Sequence, residues 1–173
     1  MKKTRIYFLC RMALLCALAI ALSALEGIFT PLLPPFAKAG LSNVAVMLAA
    51  AFMGLPSAVA VALFKAAFAL LTRGAVAALF SLSGGIPSAL LLWLLFRYVR
   101  ALGVLGISVL GALTHSAFQL FVSVLLYGSA AWFYAPMTLL LALPSGVITA
   151  ALLSAGEHLF LHYIPQNRKD QPS

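Results

Sequence analysis

Apolar runs long enough to cross a bilayer recur from one end of this 173-residue chain to the other. Runs of about 17–25 apolar residues mark transmembrane helices, and here short Pro/Gly/Ser turns separate them. Soluble domains average about 45–50% apolar and about 25% charged residues. This chain has 64% and 8%, with a mean hydropathy of +1.11. Six spans of roughly 20 residues would use most of its length. The sequence therefore predicts an all-α polytopic membrane protein, a single integral membrane domain over 1–173. Its six transmembrane helices are expected near 7–28, 41–55, 57–72, 77–97, 104–126 and 137–160, with a short polar tail at 165–173.

The basic, then apolar opening "MKKTRIYFLCRMALLC" imitates a signal peptide, but Arg11 interrupts the apolar run and later spans would hold the chain in the membrane. An uncleaved first helix is expected. Cys10 and Cys16 each follow a leucine, which does not suit a lipoprotein site. Six residues apart on a helix, they sit about 9 Å apart along the axis on different faces, too far for a disulfide. They match no metal spacing.

Lys and Arg set the orientation. With six spans and the N-terminus inside, the cytoplasmic face receives Lys2, Lys3, Arg5, Arg11, Arg97, Arg100, Arg168 and Lys169. The outer face receives Lys38 and Arg73, while Lys65 falls inside the third span. That asymmetry predicts cytoplasmic N- and C-termini. Tyr127, Trp132, Phe133 and Tyr134 form an expected aromatic belt at the outer interface. The net charge of +8 is divided between two ends of a bundle, so it speaks for anionic lipid and topology rather than nucleic acid.

Ionisable and amide groups inside a membrane are costly and are functional candidates by default. Here they are Glu26, Asn43, Lys65, Arg73, Ser83, His115 and Gln119. Glu26 closes span one, Asn43 opens span two and Arg73 closes span three, all at the outer side. Lys65 lies about 12 Å deeper than Arg73. Ser83, with Gly84 and Gly85, falls in the outer half of span four. His115 and Gln119, at i and i+4, share a face near the middle of span five. Each has a plainer role open to it. Glu26 can meet headgroup water, Asn43 can cap a helix in "GLSN", Lys65 can snorkel or pair within the bundle, Arg73 can anchor at the interface, and His115 can be a packed, hydrogen-bonded residue. Their shared depth is what predicts a pocket open to the outside.

Ala13, Ala17 and Ala21 recur at every fourth position of span one, a small-residue stripe that lets another helix approach closely, within the bundle or from a partner. Catalytic chemistry is scarce. The carboxylates are Glu26, Glu157 and Asp170 only, so the Asp-rich clusters that would hold magnesium and diphosphate are missing. There is no P-loop, zinc spacing or paired carboxylate motif. "SLSGGIPS" lacks the context of a nucleophile elbow, and "GEHLFLH" places His158 and His162 beside Glu157 without forming H-E-x-x-H. No enzyme activity, cofactor or metal is expected.

Three stretches carry a family resemblance: "PPFAKAGLSNVAVMLAAAFMG", "SLSGGIPSALL" and "GVLGISVLGALTHSAFQLFVSVLLYG". Over about residues 10–155 the chain resembles the small bacterial membrane family called Gx transporters, often labelled heptaprenyl diphosphate synthase component I. That family is similar to the substrate-binding (S) components of energy-coupling factor (ECF) transporters. Its motif P-G-x-K-x-G-L-A-N-[IV] reads here Pro35 to Val44, with Phe36 in place of glycine and Ser42 in place of alanine. Ser83-Gly84-Gly85 and His115 with Gln119 match its other marked positions. The resemblance implies a six-helix bundle in the bacterial cytoplasmic membrane, with an outward pocket capped by the loop between spans one and two. It also implies a transmembrane coupling subunit docked on the alanine stripe and two ATPase subunits.

The expected function is thus capture of a small anionic or cofactor-precursor molecule from outside. Lys38, Asn43, Lys65, Ser83, His115, Gln119, Glu26 and Arg73 are the candidate substrate-binding residues, with Ala13, Ala17 and Ala21 for partner docking. The alternatives are an accessory membrane subunit of polyprenyl diphosphate or quinone synthesis, and a scaffold for a flavin-linked electron-transfer system.

Overall fold

Gly74 shows how little chain this protein spends on turns. In the computed structural model, which describes residues 2–29, 40–99 and 102–163, Gly74 alone separates two long helices. Its φ of +88° favours glycine. Its N–H donates to Leu70 O at 3.1 Å, and its carbonyl accepts from Ala78 N at 3.2 Å. One residue therefore closes one helix and opens the next.

Six α-helices and one 3-10 helix are described: α1 (Lys2–Phe29), α2 (Asn43–Phe52), α3 (Leu55–Arg73), α4 (Ala75–Tyr98), α5 (Val104–Tyr127), the 3-10 helix (Ser129–Tyr134) and α6 (Ala135–Tyr163). There is no strand among the described residues. Among the described residues, five helical segments are long and apolar enough to cross a membrane: Arg5–Ile28, Leu55–Arg73, Ala75–Tyr98, Val104–Tyr127 and Ser129–Ala155. Their outward faces carry large apolar side chains such as Leu14, Leu71, Phe121 and Leu140, the surface that hydrocarbon solvates.

The exception is α2. The sequence predicts a span at 41–55, but the helix has ten residues and is about 15 Å long, half of the roughly 30 Å hydrocarbon core. It is short because Gly40 to Ser42 are spent on a turn, with Asn43 N donating to Gly40 O at 2.9 Å. At the other end, Gly54 has a φ of +85° and breaks the chain before Leu55. A helix apolar on all sides belongs in an interior. Asn43 to Ala50 are all buried, and α2 packs against α1, α3, α4 and α6. The core centres on it: Val46, Met47 and Ala49 meet Leu15 and Ala19 of α1, Val61 and Ala62 of α3, Ala89 and Leu92 of α4, Ile107 of α5 and Leu153 of α6. Met47 also accepts a hydrogen bond from Ser108 Oγ, Oγ to Sδ 3.4 Å.

Glycines let the outer helices close around this hub. A Cβ on Gly146 of α6 would lie 2.6 Å from Val109 Cα, and one on Gly111 of α5 would lie 2.7 Å from a Leu92 methyl. Both contacts are closer than real Cβ atoms come, so Gly146 lies against the backbone of α5 and Gly111 against the Leu92 side chain of α4.

Candidate ligand-binding site

α2 and the first half of α3 form a hairpin of equal arms. Leu55 to Lys65 is about 15 Å along the axis, the length of α2, so Lys65 returns to the level of Asn43. The bond between them closes the hairpin: Lys65 Nζ donates to Asn43 Oδ1 at 3.0 Å, both side chains buried. Asn43 is therefore a partner for the lysine. Nor does the N-cap, Ser42, bond the helix with its side chain. Its hydroxyl donates to Glu26 Oε2 at 2.8 Å, and its N–H reaches Glu26 Oε1 at 3.4 Å. Glu26 is buried rather than bathed in headgroup water. The start of α2 is thus tied to α1 through Ser42 and to α3 through Asn43.

Arg73 ends α3 beside the end of α1, where Nη2 donates to Ser23 Oγ at 2.7 Å. On the far side, Gln119 Nε2 donates to Phe80 O at 3.1 Å and meets His115 Nε2 at 3.0 Å. The carbonyl of Phe80 can only accept, which fixes the amide nitrogen on that side. The second amide hydrogen then goes to His115 Nε2, so the imidazole carries its proton on Nδ1. Gly84 makes room for the ring: a Cβ there would stand 2.6 Å from both His115 Cε1 and Nδ1. The glycine in "SLSGGIPS" is thereby explained by a histidine on the neighbouring helix.

These groups surround a recess of about 270 Å3, partly open to solvent and lined by Ser23, Glu26, Gly40, Ser42, Lys65, Arg73, Ser81, His115 and Gln119. Glu26, Lys65, Arg73, His115 and Gln119 are thus gathered from three helices, α1, α3 and α5, around one space. Asn43 touches it only through Lys65. Ser83 stands outside the lining, half-buried, with its hydroxyl donating to Phe80 O of its own helix at 3.1 Å. Lys38 lies outside the described residues, as do the side chains of His158 and His162. Among the described residues no cluster of His, Cys, Asp or Glu could hold a metal.

Sequence reasoning missed Ser23, Ser42 and Ser81 as lining residues. For Ser23 the usable signal was its distance of three from Glu26, which puts both on one face of α1. Ser81 had none beyond its neighbour Ser83, two residues away and turned to a different side. The alanine stripe lies opposite the site-bearing face of α1. Leu15, Ala19, Ser23 and Glu26 are buried, whereas Ala13, Ala17 and Ala21 are exposed.

Comparison with curated proteins and with solved structures returned no match. A family comparison did: the match runs over residues 15–155, taking in part or all of each described helix and every recess residue. On that match, the chain belongs to the family described as heptaprenyl diphosphate synthase component I.

Proposed function

We propose that this chain is the substrate-binding membrane subunit of an ECF-type uptake transporter, capturing a small anionic or cofactor-precursor molecule from the outer side of a bacterial cytoplasmic membrane. The observation that carries the reading is the recess itself. A carboxylate, a lysine, an arginine, a histidine and a glutamine converge on one space in an otherwise apolar bundle. Burying such groups costs several kcal/mol unless they are paired, and ionisable groups inside a membrane are functional candidates by default. A convergent polar recess of this kind is the default candidate for ligand binding.

Three further features fit. The Lys and Arg distribution favours cytoplasmic termini, which puts the recess in the outer half. α2, though only half the bilayer's thickness, leaves the recess and leads the chain to the start of α3 at the far end of the bundle. The exposed alanines of α1 offer a coupling subunit a smooth face, and the two ATPases would act through that subunit. The chain itself does no chemistry in this scheme and needs no cofactor.

A second reading is favoured by the family's description: an accessory membrane subunit of polyprenyl diphosphate synthesis. It would need diphosphate-binding groups on the cytoplasmic side, whereas the recess cations, Lys65 and Arg73, lie toward the end of α1 that the proposed topology turns outward. Gentle detergent extraction of the tagged chain from its native host, with mass spectrometry of co-purifying proteins, separates the two. Recovery of a coupling subunit with two ATPases is the expected result. Recovery of a prenyl synthase without ATPases would overturn it.

A further inference from the structure

Resting on the reading of the recess as a ligand site, we infer that its ligand is a compact oxyanion carrying its own hydrogen-bond donor. A hydroxy- or amino-carboxylate, or a protonated phosphate, has that chemistry. An uncharged flat heterocycle or a bare isoprenoid chain does not.

The argument is an inventory of donors and acceptors. Lys65 brings three N–H donors, and its hydrogen bond among the described residues is the one to Asn43. Arg73 brings five and donates to Ser23. Both bonds go to neutral oxygens. Lys65 and Arg73 sit eight residues apart on α3, so one cation lies deep and the other about 12 Å nearer the mouth. An anion would be drawn in past the arginine and held by the lysine. Arg suits a planar carboxylate or a phosphate through paired N–H groups, and Lys suits it as a point charge.

Gln119 supplies the opposite requirement. Both of its amide hydrogens are spent, on Phe80 O and His115 Nε2. What it offers the recess is therefore Oε1, an acceptor. A ligand that satisfies Lys65 with an anionic oxygen and Gln119 with an O–H or N–H has to carry both groups. Size sets the rest. The recess is small, its roughly 270 Å3 counting all the space between the lining atoms and the open solvent at its mouth, so it suits a compact group rather than a drug-sized one. No Phe, Tyr or Trp is among its described lining residues, so those residues offer no platform for stacking a ring and no trough for a prenyl chain.

The same oxyanion chemistry could come from a soluble metabolite or from a lipid-linked diphosphate, and the test separates them. The purified full chain, in detergent, would be titrated with inorganic phosphate, L-malate, L-glutamate, L-glutamine amide and farnesyl diphosphate while thermal unfolding is followed. We expect saturable stabilisation by at least one of the three soluble oxyanions, and none by the amide. Lys65→Met should weaken that affinity about tenfold or more, the scale of one lost charge-assisted hydrogen bond. Arg73→Gln, at the half-buried mouth, should weaken it too and guards against misfolding of the buried variant. Leu71→Ala, on the lipid-facing side, should leave it unchanged. Stabilisation by farnesyl diphosphate alone, by the amide as strongly as by the anions, by none of the probes, or undiminished in both variants would overturn the inference. Binding to the isolated chain requires no partner, so this result stands apart from the co-purification.

Discussion

Ser42 occupies a position where the family motif carries alanine, and its side chain is the strongest described link between α1 and α2. The hydroxyl bonds a buried carboxylate at 2.8 Å. A hydrogen bond to a charged group is worth about 1.5–3 kcal/mol, so Ser42→Ala should lower the unfolding free energy by about that amount, read from the unfolding midpoint of the purified protein. An unchanged midpoint would mean that Glu26 is held without the serine. Gly84 makes the complementary case. Gly84→Ala would press a methyl into the His115 ring, and overpacking of this kind costs about 1–3 kcal/mol. Shrinking the ring by His115→Ala should recover much of that loss in the double variant, because the two residues are in contact. Strictly additive losses would show that Gly84 is needed for some other reason. At this scale the sequence was partly legible. Rare polar types stand out in an apolar chain, which is why Glu26, Lys65, Arg73, His115 and Gln119 were found. Serine is common in such helices and usually bonds its own backbone, as Ser83 and Ser88 do. Only its spacing of three from Glu26 set Ser23 apart from these, and nothing in the sequence distinguished Ser81.

Helix α1 has two faces with different work. Leu15, Ala19, Ser23 and Glu26 look into the bundle, and Ala13, Ala17 and Ala21 look out. Small residues alone could not reveal this, since alanine lies on both faces; the buried Glu26 settles it. The division makes a clean separation possible. Ala17→Leu places its bulk on the exposed face, so the stability of the isolated chain should change by no more than about 0.5 kcal/mol, while recovery of the proposed coupling subunit should fall sharply. A large loss of stability would show that the stripe packs inside this chain after all. For α2, the sequence conveyed apolarity but not length. Gly40 and Gly54 carried the signal: between two glycines of positive φ only a short helix fits. A helix uniformly apolar over ten residues is read equally well as part of a lipid-facing span or as a buried hub. Contacts with four other helices decide for the hub.

For the whole molecule, the question that matters is which side of the membrane the recess faces. At the recess end α3 turns into α4 through Gly74, and α5 runs through the exposed Tyr127, Trp132 and Phe133 toward α6, an amphipathic girdle suited to an interface. At the other end of α4, the Arg97 guanidinium lies 5.7 Å from the Trp93 ring centre and 5.9 Å from that of Tyr98, a cation–π cluster equally suited to an interface. Aromatic residues mark both interfaces and cannot tell them apart. The excess of Lys and Arg is what differs between them, and the proposed topology uses it to turn the Arg97 end to the cytoplasm. Single cysteines test this in cells once Cys10 and Cys16 are replaced by serine. Ala130→Cys, in the exposed 3-10 helix, should react with a membrane-impermeant maleimide added to intact cells; Leu102→Cys, exposed between α4 and α5, should react only after lysis. The opposite pattern would turn the recess to the cytoplasm. Its lysine and arginine would then face the compartment where prenyl diphosphates are made, and the accessory-synthase reading would take precedence over uptake.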